Sequence, residues 1–195
     1  FAEKVLKESY WVNEVAFWRP DPSGSGLHRA DRIQDVEDDL SHQPHVILNQ
    51  ARVHDFYLEM MENSAMGLVP DYNRDLAGLV CDDSAEYPVT LTFDCLDAPG
   101  QQEVVHAKYV VGCDGARSSV RRALGRELKG DSANQAWGVM DVLAVTDFPD
   151  IRFKALVQSA SEGSILIIPR EGGYLVRIYV ELDKLRPDER VANRN

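Results

Sequence analysis

A chain of 195 residues, 44% hydrophobic and 27% charged, can bury one sizeable core and is too apolar to stay disordered. Its formal net charge of -11 repels phosphate backbones and acidic membrane surfaces, and no run of Lys or Arg makes a local exception, so nucleic acid and lipid are not expected partners. No apolar stretch approaches a transmembrane span and no signal-peptide succession opens the chain, which makes the cytoplasm the expected compartment.

From the N-terminus, Tyr10 to Trp18 alternate aromatic and polar residues up to Pro20 and Pro22, the mark of a strand ending in a turn. Ser23-Gly24-Ser25-Gly26 is then a tight connection, and Leu27 to Val36 a returning strand. The acidic cluster Asp35 to Asp39 reads as a solvated face rather than a metal site. Asn49 is a plausible N-cap for a helix in which Val53, Phe56, Tyr57, Met60 and Met61 recur at helical spacing and are expected to enter a core. Leu76 to Val80, Val89 to Phe93 and Val104 to Val111 read as short strands, the last with a buried apolar end at Tyr109-Val110-Val111. A brief helix from Ser118 to Leu124 is followed by strands at Val139 to Val145, Phe153 to Gln158, Ser164 to Ile168 and Tyr174 to Glu181. Asp183 to Arg190 looks like the start of a further helix. Cys81, Cys95 and Cys113 lack C-x-x-C spacing, which predicts reduced, buried thiols rather than disulfides or zinc. The absent initiator Met at Phe1 and the charged stretch near Asn195 suggest ends other than natural termini.

The densest chemistry lies in Gly112-Cys113-Asp114-Gly115-Ala116-Arg117-Ser118-Ser119-Val120-Arg121, between a strand and a short helix. A carboxylate at the C-terminal edge of a strand can accept hydrogen bonds from sugar-type hydroxyls. The flanking glycines allow a sharp turn and close ligand approach. A helix N-terminus capped by Ser118, with Arg117 and Arg121 beside it, offers positive charge to a phosphate. Polyol plus phosphate suits this pattern, and a plain Asp-Gly turn with a capped helix is the alternative.

With that turn in view, the chain resembles the single-component FAD aromatic hydroxylases, whose second flavin fingerprint G-x-D-G-x-x-S-x-V-R is matched at Gly112, Asp114, Gly115, Ser118, Val120 and Arg121. Further segments are similar to the phenol 2-monooxygenase and 3-hydroxybenzoate 4-monooxygenase subgroup: Pro44 to Arg52, Trp137 to Asp141, Ile167 to Glu171 and Val176 to Tyr179. The likeness runs over essentially the whole chain. It implies an α/β (α+β) fold in which part of a FAD-binding Rossmann-like domain is interleaved with a strand-rich substrate domain of the p-hydroxybenzoate hydroxylase type. The implied parts are 1–48 and 129–195 in the substrate domain and 49–128 in the FAD domain.

The resemblance also implies roles. Asp114 contacts the ribityl chain, with Gly115, Gln50, Arg52 and Arg117 as further cofactor-binding residues. Arg170 and Tyr179 lie near the isoalloxazine and the substrate hydroxyl, and Lys154 and His45 line the same pocket by position. The alternatives are a solvated strand lysine for Lys154, a satisfied histidine for His45 and buried packing for Tyr179. FAD as cofactor, NADPH as co-substrate, a phenolic substrate, O2 and a homodimer of the full-length protein follow from the same likeness. The G-x-G-x-x-G that cradles the FAD pyrophosphate is missing, since Gly24 to Arg29 lacks the third glycine and opens no helix. The later Gly-Asp motif and the C-terminal domain of the subgroup are also missing. The chain is therefore expected to be an interior segment of a phenol-hydroxylating flavoprotein that holds FAD weakly alone. An epoxidase, a halogenase or tailoring oxygenase, or an inert module are the other readings.

Overall fold

Short-range alternation and one cap generate the first elements. A computed structural model describes residues 1–130 and 135–182; the helix expected over Asp183 to Arg190 lies outside the described residues. Helix α1 (Ala2–Glu8), for which the sequence offers no cap signal, is followed by strand β1 (Tyr10–Trp11). Strands β2 (Glu14–Pro20) and β3 (Leu27–Gln34) form the expected hairpin. Its turn relies on Gly24 and Gly26, whose φ angles of 80° and 79° favour glycine, and on the Asp21 carboxylate, which accepts from the Ser23 amide at 2.8 Å. Strand β4 (Val46–Ile47) pairs with β1, and the Val12 amide donates to the His45 carbonyl at 3.1 Å.

Helix α2 (Gln50–Glu62) begins as expected at Asn49, whose side chain accepts from the Ala51 amide at 2.9 Å. The expected core stripe needs correction. Phe56 is 2% exposed and packs edge-on against Phe1 at 5.8 Å, but Tyr57 and Met60 are more than half exposed. Only one line of the helix is covered by α1, too narrow a neighbour to bury the whole stripe.

Four later strands complete the main sheet: β8 (Ala136–Leu143), β9 (Lys154–Gln158), β10 (Ser164–Pro169) and β11 (Leu175–Leu182). The order is β3-β2-β9-β10-β11-β8, with β2 and β9 parallel and all other neighbours antiparallel. Because side chains alternate between faces, the register places Ala16, Ala155, Ile167 and Val176 on one face, where they form the core. Trp18, Phe148 and Ile151 pack against that cluster. Asp150, fully buried beside it, accepts from Arg29 Nε and Nη2 at 2.7 and 2.6 Å and from Trp18 Nε1 at 2.7 Å. Three donors on two oxygens are what an ionised carboxylate needs once water is removed.

A second unit covers residues 65–130. Strands β5 (Arg74–Cys81), β6 (Val89–Cys95) and β7 (Gln102–Ala107) form an antiparallel sheet in that order, and helix α3 (Ser119–Ala123) follows. The strand expected over Val104 to Val111 stops at Ala107, and its apolar end is not buried: Tyr109 is 90% and Val111 83% exposed. Three apolar residues in a row need cover on two sides, and the three-stranded sheet offers none there. Cys81 and Cys113 are likewise exposed and Cys95 half-buried; all three are free thiols, so the expected reduced state stands beside a corrected burial. One compact unit runs to residue 64, and α2 packs on α1 within it through Phe1, Phe56 and the Lys4–Glu59 ion pair. Among the described residues no helix is long and apolar enough to cross a membrane, and no group of side chains is arranged to hold a metal ion.

Removing the Asp150 carboxylate leaves the Trp18 N–H and the Arg29 guanidinium without their acceptor. Arg29 is 38% exposed and can recover some hydration, so Asp150→Ala should cost about 2–3 kcal/mol, less than a wholly buried pair would. Urea denaturation of both proteins measures this. A loss below about 0.5 kcal/mol would show that the buried carboxylate is dispensable.

Candidate functional site

The Gly112–Arg121 turn is built by hydrogen bonds among its own motif residues. Asp114 accepts from the Ser118 hydroxyl on one carboxylate oxygen and from the Val120 amide at 3.0 Å on the other. Ser118, 7% exposed, in turn accepts from the Arg121 amide at 2.9 Å, as expected of an N-cap. The Arg121 guanidinium donates to the Ala116 carbonyl at 2.5 Å and reaches the Gly115 carbonyl at 3.4 Å, locking the turn. The Val120 and Arg121 amides at the helix start are likewise taken, by Asp114 and Ser118. Arg117 is exposed.

Two glycines serve this turn for different reasons. A Cβ on Gly112 would lie 3.0 Å from the Val120 side chain, so a side chain there would push helix α3 back by a few tenths of an ångström. Gly115 has φ 74° and nothing within 4 Å of the space a Cβ would fill, leaving an open approach next to the Asp114 carboxylate. An ionised carboxylate with lone pairs left over, beside an open glycine, fits the hydroxylated chain of a flavin cofactor.

The Ser118 hydroxyl first, then the Val120 amide, hold the Asp114 carboxyl down at about 2 against an ordinary value of 3.8. Its contribution to the turn is therefore present above the ordinary value and is lost only as pH falls through about 2. In a carbon-13 titration the Asp114 carboxyl should show no inflection between about pH 6 and about pH 3. An inflection near 3.8 would mean that the turn does not grip the carboxylate as described.

The other candidates lie in the unit formed by residues 1–64 and 135–182. On the sheet face opposite the core, Lys154 stands opposite Val15, and Leu156, Leu166, Tyr179 and Val139 follow one another across β9, β10, β11 and β8. Strand spacing and rise put the Lys154 and Tyr179 backbones roughly 12 Å apart on this shared face. Beside Tyr179, Arg177 is gripped by Asp141 at 2.7 and 2.8 Å, and its pKa is raised by hydrogen bonding to Asp141 first and to Tyr179 second. Asp141 and Arg177 lie in two of the segments similar to the subgroup, where no role was assigned to them. The R-x-Y spacing, which puts both residues on one face of β11, was the signal available.

His45 and Lys154 do come together, on a residue first taken for part of a solvated face. The Asp35 side chain is only 4% exposed, receives Lys154 Nζ at 2.9 Å on one oxygen and contacts His45 Nδ1 through the other. Glu37, Asp38 and Asp39 are exposed, so the solvated-face reading is right for them and wrong for Asp35. Arg170 is buried and spends its guanidinium on Glu171 at 3.0 and 3.3 Å. Arg52 makes two bonds to Glu8, at 2.6 and 2.9 Å, while Gln50 is the exposed first residue of α2. Neither is brought to Lys154 or Tyr179 by any of these bonds.

A family model described as an FAD binding domain matches residues 6–194. The chain is 63% identical to 3-hydroxybenzoate 4-monooxygenase of Comamonas testosteroni, covering 100% of this chain and 31% of that protein. It is 32% identical to a phenol 2-monooxygenase of Aspergillus fumigatus, covering 93% and 29%. It thus spans less than a third of the length of these two relatives. Among solved structures, p-nitrophenol 4-monooxygenase of Pseudomonas putida superimposes with a TM-score of 0.73 at 18% identity, over 97% of this chain and 46% of that one. The flavin-dependent monooxygenase PieE, crystallised with FAD and substrate, gives 0.69 at 17% identity, over 95% and 33%. At such identities these structures establish the fold.

Proposed function

This chain belongs to the FAD binding domain family, and from that premise we propose that the protein carrying it is a FAD-dependent monooxygenase that hydroxylates a phenolic ring with NADPH and O2. The observation that carries the reading is the sheet face on which Tyr179 and Lys154 stand among Val15, Leu156 and Leu166. An apolar stretch that carries the Tyr179 hydroxyl and the Lys154 ammonium, beside the Arg177–Asp141 pair, suits a flat ring bearing a hydroxyl and an acidic substituent. A hydroxybenzoate is such a ring, and the name of the Comamonas relative supports that class.

When bound, FAD supplies the redox and oxygen-activating chemistry that no side chain can. Asp114 and Gly115 hold its ribityl chain, with Arg117, Gln50 and Arg52 as further cofactor residues. The Tyr179 hydroxyl holds the phenolic oxygen and favours loss of its proton, which makes the ring electron-rich where oxygen arrives. Arg177, fixed by Asp141, steadies that hydroxyl. Lys154 and His45 orient the ring from the other end, and Arg170, held by Glu171, is the second catalytic residue, near the flavin ring and the substrate hydroxyl. Residues 49–128 serve the cofactor and 1–48 with 129–195 the ring substrate. A cytoplasmic homodimer completes the proposal.

In the full-length protein, Asp114→Asn keeps the side-chain shape and removes the charge, and should weaken FAD retention on the order of tenfold to a hundredfold. Flavin fluorescence titration beside apoprotein melting checks it. Unchanged affinity at unchanged melting temperature would remove Asp114 from the cofactor site.

Tyr179→Phe removes one hydroxyl and keeps the ring that lines the sheet. Hydroxylation should slow by about a hundredfold while NADPH oxidation continues, so product per NADPH falls and hydrogen peroxide rises. Full coupling in this variant with a lower melting temperature would return Tyr179 to a packing role.

A further inference from the structure

The Asp35 cluster joins three segments far apart in sequence. Asp35 follows β3 directly, and its amide donates to the Asn13 carbonyl at 2.9 Å, so it continues the β2–β3 hairpin by one residue. Alternation from Asp31 and Ile33 then puts its side chain on the face that carries Lys154. His45 arrives from the other side, its carbonyl tied to Val12 just before β4.

Burying a carboxylate to 4% exposure costs free energy unless both oxygens are answered. Burial alone pushes the Asp35 carboxyl up and is the largest single influence. Hydrogen bonds from Lys154 and then His45 nevertheless bring it below its ordinary value. The group is thus an ionised acid with one oxygen committed to each partner. The partners are far more open: the Lys154 side chain is 33% and the His45 side chain 39% exposed. A buried anion that grips the inner side of two accessible groups leaves their outer sides available. Lys154 keeps two further N–H donors, and a neutral His45 donating from Nδ1 keeps Nε2 as an acceptor.

We propose that Asp35 is a positioning residue of the ring-substrate site, fixing the Lys154 ammonium in place and His45 in the Nδ1–H form with Nε2 directed outward. The proposal rests on the reading that Lys154 and His45 meet the substrate. It assigns a separate task to a residue that touches neither substrate nor cofactor. Removing the carboxylate frees Lys154 to sample its rotamers and lets the imidazole switch tautomer, so binding of the ring should suffer more than turnover at saturation.

The test uses the full-length FAD-loaded protein with 3-hydroxybenzoate as probe, reading Kd by calorimetry alongside KM and kcat. Asp35→Asn should raise Kd and KM at least tenfold with kcat within about threefold, and Asp35→Glu should recover part of the loss. In a Lys154→Met, His45→Gln background, Asp35→Asn should add less than about twofold, because nothing is left for it to position. An unchanged Kd in Asp35→Asn, or the same loss in both backgrounds, overturns the proposal while leaving Lys154 and His45 as substrate residues. An unchanged Kd in Lys154→Met, His45→Gln overturns both readings. Should Asp35→Asn fold poorly, nitrogen-15 spectra of histidine-labelled wild-type protein, taken above the imidazole pKa, decide the matter. His45, identified by the signal lost in His45→Gln, must be the Nδ1–H tautomer, and a dominant Nε2–H form sinks the assignment.

Discussion

The parallel pairing of β2 with β9 is the constraint on which the first unit depends. Every other neighbour in the six-stranded sheet is antiparallel, so this one junction joins the early hairpin to the later strands. Parallel neighbours cannot be linked by a tight turn, and the chain between these two runs through the whole second unit. The junction sets Val15 against Lys154 and Ala16 against Ala155. The first pair brings Lys154 within reach of Asp35, 119 residues away in sequence; the second forms the centre of the core. Site and core therefore share one register, and a slip of one residue would exchange their faces.

Local rules made much of this legible beforehand. The hairpin turn at Gly24 and Gly26, the Asn49 and Ser118 caps and the strands of the main sheet each follow from a few adjacent residues, and each is present. What could not be read depended on partners. The Tyr57 and Met60 positions have helical spacing whether or not a neighbour covers them, and Tyr109 to Val111 are apolar whether or not a strand lies beside them. Spacing reports which residues could share a face; it does not say what lies against that face. Asp35 was obscured in another way. It heads a run of acids, and only its place directly after β3, bonded to Asn13 and within reach of Lys154, separates it from the exposed residues that follow.

The acidic balance of the chain also takes on a structural meaning. Arg29 with Asp150, Arg32 with Glu14, Arg52 with Glu8, Arg74 with Glu103 and Arg177 with Asp141 each tie one segment to another. The planar fork of arginine matches a carboxylate at two points, so such pairs fix orientation as well as proximity. Exposed pairs of this kind contribute little stability individually. Their effect is to hold strand ends and helices in register within each unit.

Tyr109 to Val111 also affect how the polypeptide behaves in solution. This greasy stretch stands in water directly after β7, whose Val104 is 54% exposed on the outer strand of a three-stranded sheet. An outer strand presents a row of unpaired N–H and C=O groups, and flanking apolar side chains make that row adhesive to a second molecule. Purified by itself, the polypeptide would tend to cloud with rising concentration and salt, and a Lys at Val111 would keep it clear.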